Sequence, residues 1–237
     1  MKKFSISIII IVIIITGVIV GGNMLKKEEK KDYTSFHDLQ SHEAEGRDFR
    51  IKSFDRNPQI AVMAIHGGNI EIGTGEVSLE LGKQLGASTY VFEGLKAKDN
   101  RQLHVTSTLY DEPVAIDMVK KAKTVLSIHG YKDTEIEKVY IGGRNVTYRN
   151  IVAKYLKEAG FQVEDAPDKF GGTSKNNIAN KSQMEKGVQL ELSTKLREAF
   201  FKNNDFSMKN RSNTTETYDT FVRALKQATI KYKKSHL

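Results

Sequence analysis

The chain of 237 residues contains no cysteine, which excludes disulfides, thiolate metal sites and a cysteine nucleophile. Histidine and carboxylate are then the strong metal ligands that remain. The same absence excludes a lipid-modified N-terminal cysteine. No Gly-x-Ser-x-Gly elbow is present, which argues against a serine hydrolase, and the His-Glu-x-x-His pattern is missing as well. No internal repeat and no nucleic-acid reader motif can be found.

The chain does carry an excess of positive charge, formally +8. That balance favours a polyanionic neighbour, whether nucleic acid, an anionic membrane or wall polymer, or an acidic substrate. Short runs such as Lys26-Lys27, Lys30-Lys31 and Lys233-Lys234 read by default as solvated surface.

Lys2 and Lys3 precede an apolar stretch over residues 4–20, broken only by Ser5, Ser7 and Thr16 and ended by Gly21-Gly22-Asn23. This is the layout of an export segment. Cleavage as a signal peptide and retention as a membrane anchor both stay open, because the run is slightly short for a span and Gly22 is a moderate cleavage residue. In either case the leading positive charge sends the rest of the chain outward. The expected organisation is a signal peptide or signal anchor at 1–22, a charged spacer at 23–34 and one catalytic domain at 35–237. The location is therefore exported, either secreted or held on the outer face of the cytoplasmic membrane.

After the spacer, short β-branched runs alternate with segments of helical period, the pattern of an α/β domain. Strands are expected at 59–65, 89–92, 103–106, 124–128, 138–141, 161–164 and 188–192, and helices at 76–85, 113–122, 148–159 and 215–233. Pro113 suits a first turn and Gly160 a C-terminal cap. In the last helix Tyr218, Phe221, Val222, Leu225 and Ala228 share one face, which predicts docking on the core.

Open α/β sheets bind ligands at the carboxyl ends of their strands, and several polar residues stand there. His66, Glu93 and His129 each end an apolar run, Arg144 follows another, and Glu191 lies within the last. In His66-Gly67-Gly68-Asn69-Ile70-Glu71 the glycines allow a tight return, so that Glu71 can reach a metal bound by His66. His129 would add a third ligand from a neighbouring strand and leave a position open for water, as catalytic zinc requires. His42-Glu43-Ala44-Glu45 has a His-x-x-Glu spacing, but no apolar strand precedes it, and a solvated helix end is the better reading.

Several segments together resemble the phage-type poly-γ-glutamate hydrolases, small zinc enzymes with a fold related to the carboxypeptidase A group. These are Ala64-Ile65-His66-Gly67-Gly68-Asn69-Ile70-Glu71, Tyr90-Val91-Phe92-Glu93-Gly94, Leu103-His104-Val105-Thr106, Ser127-Ile128-His129-Gly130, Gly142-Gly143-Arg144-Asn145, Asn177-Ile178-Ala179-Asn180 and Val188-Gln189-Leu190-Glu191-Leu192-Ser193. The resemblance implies a single carboxypeptidase-like α/β domain, a central mixed twisted sheet with helices on both faces. It implies Zn2+ held by His66, Glu71 and His129, with Glu191 as general base. It further makes Arg144, with Asn145 beside it, the anchor for a substrate carboxylate, and gives His104, Glu93, Arg197 and Asn180 the role of lining the cleft. The implied substrate is a polyanionic glutamate polymer, and no nucleic-acid partner is expected of what is read as a monomer. The export segment departs from the bare catalytic domain usual in that family. An exported zinc amidase of cell-wall peptidoglycan and a non-catalytic polyanion-binding protein are the rival readings.

Overall fold

The structure, a computed structural model, describes residues 33–237; the expected export segment and all but the end of the spacer lie outside them. Seven strands form one mixed sheet in the order β1-β3-β2-β4-β7-β5-β6. They are β1 (Phe49–Phe54), β2 (Asn57–Gly68), β3 (Ala87–Gly94), β4 (Thr124–Tyr131), β5 (Lys138–Gly142), β6 (Gln162–Asp165) and β7 (Val188–Ser193). The central strands β3, β2, β4 and β7 run parallel, β1 is antiparallel to β3, and β5 is antiparallel to β7.

The central strands are almost wholly buried because both of their faces are covered. In β2, Ile60 and Val62 enter one core, while Ala61, Met63 and Ile65 enter the other. The first core lies under α2 (Thr74–Leu85), α4 (Val146–Glu158) and α6 (Glu216–His236), the second under α1 (Phe36–Gln40) and α3 (Pro113–Lys121). The expected arrangement, one α/β domain with a mixed sheet between two helical layers, is the one found. Local chemistry sets the helix starts: Glu112 accepts hydrogen bonds from the Val114 and Ala115 amides ahead of Pro113, and Asn145 accepts from Tyr148 N. The apolar stripe of α6 docks as expected, with Phe221, Val222, Leu225 and Ala228 buried. No helix among the described residues is long and apolar enough to cross a membrane.

One local expectation fails, and three further elements were not expected. Residues 103–106 are not a strand; Asn100–Leu103 is a 3₁₀ turn entered through Asp99 at φ 61°, and the chain then runs irregularly past the cleft. The segment Phe49–Phe54 is an edge strand with only its first residue fully buried, so its sequence has no strong apolar signal. The short helices α1 and α5 (Thr194–Ala199) are stabilised by serine caps, Ser35 and Ser193, rather than by length.

Candidate metal centre and cleft

The parallel strands β2, β4 and β7 end together, and their last polar side chains meet. His66 lies near the end of β2, where Gly68 has φ +64° and an added Cβ would fall 2.5 Å from Gly94 O. Only glycine permits this approach of β2 to β3. The chain then turns back at once, with Glu71 N donating to His66 O at 2.9 Å. The Glu71 carboxylate is thereby aimed across the sheet, where its Oε2 accepts from Gly130 N at 2.8 Å.

Four polar groups converge at this point. His66 Nδ1 lies 3.3 Å from Glu71 Oε1 and 3.1 Å from His129 Nδ1, and His129 Nδ1 lies 3.7 Å from Glu71 Oε2. His104 stacks on His66 with ring centroids 3.6 Å apart, and its Nε2 is 3.2 Å from Glu71 Oε1. Among the described residues, His66, Glu71 and His104 also place one donor atom each within 4.8 Å of one another.

These donors fit a tetrahedral metal. Ligand bonds of about 2.0–2.1 Å put ligand atoms roughly 3.3 Å apart, close to the separations above. His66 Nε2 is 2.8 Å from Val105 O, an acceptor that obliges Nε2 to carry the hydrogen and leaves Nδ1 bare toward the centre. His129 Nε2 is held by Ser127 Oγ at 2.9 Å, which likewise turns Nδ1 inward. Outer partners of this kind commonly fix metal-binding imidazoles.

The electrostatics point the same way. Burial, and then His66, push His129 down to about 3, so the ring is neutral near physiological pH. His104 is lowered by the same two causes. Burial pushes the Glu71 carboxyl up, but the neighbouring imidazoles of His66, His104 and His129 outweigh it and hold Glu71 well below the usual carboxylate range. Glu191 shifts in the opposite direction: burial, and then the negative charge of Glu71, raise it well above the ordinary value.

The cluster opens into a cavity of ≈ 490 Å³ lined also by Glu191 and by Arg101, Lys132 and Lys169. His104 lines it. Arg144 does not; it is half-buried after β5, with Nη1 3.5 Å from the carbonyl of Thr173, which itself lines the cavity. Asn145, Glu93, Asn180 and Arg197 are absent from the lining too, because each satisfies its polar groups within the fold. Asn145 caps α4 and donates to Thr124 Oγ1 and Tyr232 OH. Glu93 is ion-paired by Arg50 and Lys52 of the edge strand. Asn180 donates to the carbonyls of Gly172 and Ser174, and Arg197 donates to those of Ile72, Tyr131 and Leu192. A polar residue after an apolar strand thus serves the loops as often as the cleft. His42 is exposed and bonded to Asp38 O, as its sequence context suggests.

Sequence reasoning overlooked the cations Arg101, Lys132 and Lys169, which come from loops without a pattern. It also overlooked Ser127, Gln189 and Asn177. A signal existed for the first two: Ser127/His129 and Gln189/Glu191 are polar at period two inside apolar strands, and β4 and β7 pair in register with Ser127 opposite Gln189 and His129 opposite Glu191. Two polar rows therefore lie side by side on one face of the sheet.

Known proteins share this fold. The sequence profile of the family described as poly-gamma-glutamate hydrolase matches residues 33–224. The UPF0714 protein YndL of Bacillus subtilis (strain 168) is 39% identical over 186 residues, covering 77% of this chain and 71% of YndL. Among solved structures, a bacteriophage poly-gamma-glutamate hydrolase is similar with a TM-score of 0.84 and 38% identity, over 86% of this chain and 99% of the other. A zinc-free apo structure of YNDL is similar with a TM-score of 0.79 and 35% identity, over 87% and 100% of the two chains. With the profile spanning most of the folded domain, the chain belongs to the poly-gamma-glutamate hydrolase family.

Proposed function

We propose that this protein is a zinc-dependent amide hydrolase that cleaves poly-γ-glutamate, with His66, Glu71 and His129 as the metal ligands and Glu191 as the general base. The observation that carries this reading is the meeting of the bare His66 Nδ1, the His129 Nδ1 and the Glu71 carboxylate at separations suited to one tetrahedral ion. His66 and His129 are preferred to His104 as ligands because each has its second ring nitrogen tied, to Val105 O and Ser127 Oγ, and each is almost wholly buried. His104 is partly exposed and faces the cavity, where it orients Glu71 and meets substrate.

A zinc ion held there supplies the Lewis acidity that polarises a carbonyl and acidifies water. The Glu191 carboxylate accepts the proton of the attacking water and returns it to the leaving amide nitrogen, so one C–N bond breaks and one C–O bond forms. Arg101, Lys132 and Lys169 take the part first given to Arg144 and bind the carboxylates that every unit of the polymer carries. Export by residues 1–22 would bring the domain to an extracellular polymer; recovery of the protein in the cytosolic fraction of its host would refute that part.

The test is incubation of the purified protein with poly-γ-glutamate and, separately, with peptidoglycan. Glutamate oligomers released from the first and abolished by a chelator, with no product from the second, are expected. Product from peptidoglycan alone would transfer the activity to the wall amidase reading, and no product from either, with no bound zinc, would leave a polyanion-binding protein.

A further inference from the structure

Glu191 is held by a side chain with no role in the reading above. Gln189, two residues earlier on β7 and on the same face, donates from Nε2 to Glu191 Oε1 at 2.9 Å and to Phe170 O at 3.3 Å. Its Oε1 accepts from Asn177 Nδ2 at 2.8 Å, and Asn177 Oδ1 in turn accepts from Ala179 N at 2.9 Å. Both ends of this chain are unambiguous. A backbone N–H can only donate and a backbone carbonyl only accept, so neither amide can be flipped without breaking a bond at one end.

The arrangement is costly to build. Gln189 is 5% exposed and Asn177 4%, and a buried amide is unfavourable unless all its polar atoms are met. The backbone is shaped around it as well: at Gly172 an added Cβ would fall 2.9 Å from Gln189 Oε1 and 3.0 Å from its Cδ. Both amides line the cavity.

We infer that Asn177 and Gln189 form a polarity-locked amide relay that fixes Glu191 by its Oε1, so that Oε2 is the oxygen offered to the water, with Gln189 as a positioning residue for the hydrolysis. This inference rests on Glu191 being the base. A long carboxylate side chain left free would sample rotamers in which neither oxygen faces the reacting water, and the loss would fall on the chemical step rather than on polymer binding.

The experiment compares Gln189→Met, Asn177→Asp, their combination and Glu191→Gln in the full zinc-loaded chain, measuring kcat, KM for poly-γ-glutamate and zinc content. Asn177→Asp keeps the acceptor for Ala179 N but removes the donor to Gln189, so it tests the relay without removing the cap. The expected result is a Glu191→Gln protein without turnover. Gln189→Met should then lower kcat roughly 10–100-fold, as loss of an outer-shell partner does. KM should stay within about twofold, zinc at the wild-type level, Asn177→Asp in between, and the double variant no slower than Gln189→Met. Wild-type kcat in both Gln189→Met and Asn177→Asp, with Glu191→Gln dead, would overturn the relay and leave the base assignment intact. A fall in zinc content equal to the fall in kcat would also overturn it, since the amides would then support the metal site. Turnover retained by Glu191→Gln would overturn the base assignment and the relay together.

Discussion

The two imidazoles of His66 and His129 are buried with nitrogens 3.1 Å apart beside a carboxylate, an arrangement that would be poorly satisfied without a cation or shared proton between them. This sets the contrast that separates His129 from His104. His129→Ala is expected to lose zinc after dialysis, whereas His104→Ala should retain it and fall in turnover, as read by metal analysis of both proteins. The opposite pattern would make His104 the third ligand. At this scale the turn that returns Glu71 to His66 was legible, because glycines in a short run allow the chain to fold back there. The place of Arg144 was not legible: an arginine after a strand looks the same in sequence whether its guanidinium lines a cleft or, as here, bonds to the backbone of a lining residue, Thr173.

The elements carry these groups by close packing of α2 on the sheet. α2 starts two residues after the returning loop, and Gly73 N donates to Glu76 Oε2 at its first turn. Farther along, Gly82 sits so close to β3 that an added Cβ would lie 1.9 Å from Thr89 Oγ1. Gly82→Ala should therefore force α2 away from the sheet and destabilise the fold by about 1–3 kcal/mol, the usual cost of overpacking. Urea denaturation would measure this, and an unchanged midpoint would mean that Thr89 can turn aside at no cost. The long periodic helices and buried strands were readable because their apolar spacing is set by the sheet they cover. The edge strand β1 was not, since only one of its six residues is fully buried. The stretch 103–106 failed for the converse reason: Leu103 and Val105 are buried by a loop that folds over the second core, without pairing to any strand.

For the whole molecule, protonation and charge set the working conditions. In the metal-free protein His129 has a value of about 3 against an ordinary 6.5, so on acidification the unfolded chain takes up the proton first. The stability contributed by His129 is full above about 6.5 and is lost as pH falls through about 3. Glu71, held low, acts in the same direction below the ordinary 4.5, while the raised Glu191 opposes them by favouring the fold in acid and weakening it as pH rises. Thermal melts of the chelated protein should show the midpoint falling from neutral pH into mild acid, and His129→Gln should flatten that slope. With zinc present the fall should be steeper, because bound imidazoles must be neutral. The net charge of +8, with Arg101, Lys132 and Lys169 around the cavity, should make KM for the polymer rise with added salt while kcat holds. Steady-state kinetics across ionic strength would check it; a KM indifferent to salt would deny those cations a role in binding.

By itself the sequence determined the class of fold, the strands and helices that form its interior, and the His66 and Glu71 pair, since apolar periodicity and a glycine turn are local properties of the chain. The tertiary structure alone decided which of the remaining polar residues share a space. His104 comes to Glu71 through an irregular loop, Glu93, Asn145, Asn180 and Arg197 spend their polar groups on partners within the fold, and Gln189 meets Asn177 in the cavity wall. Such meetings depend on strand order and register, which join residues 60 or more positions apart such as His66 and His129, and no spacing within the chain records them.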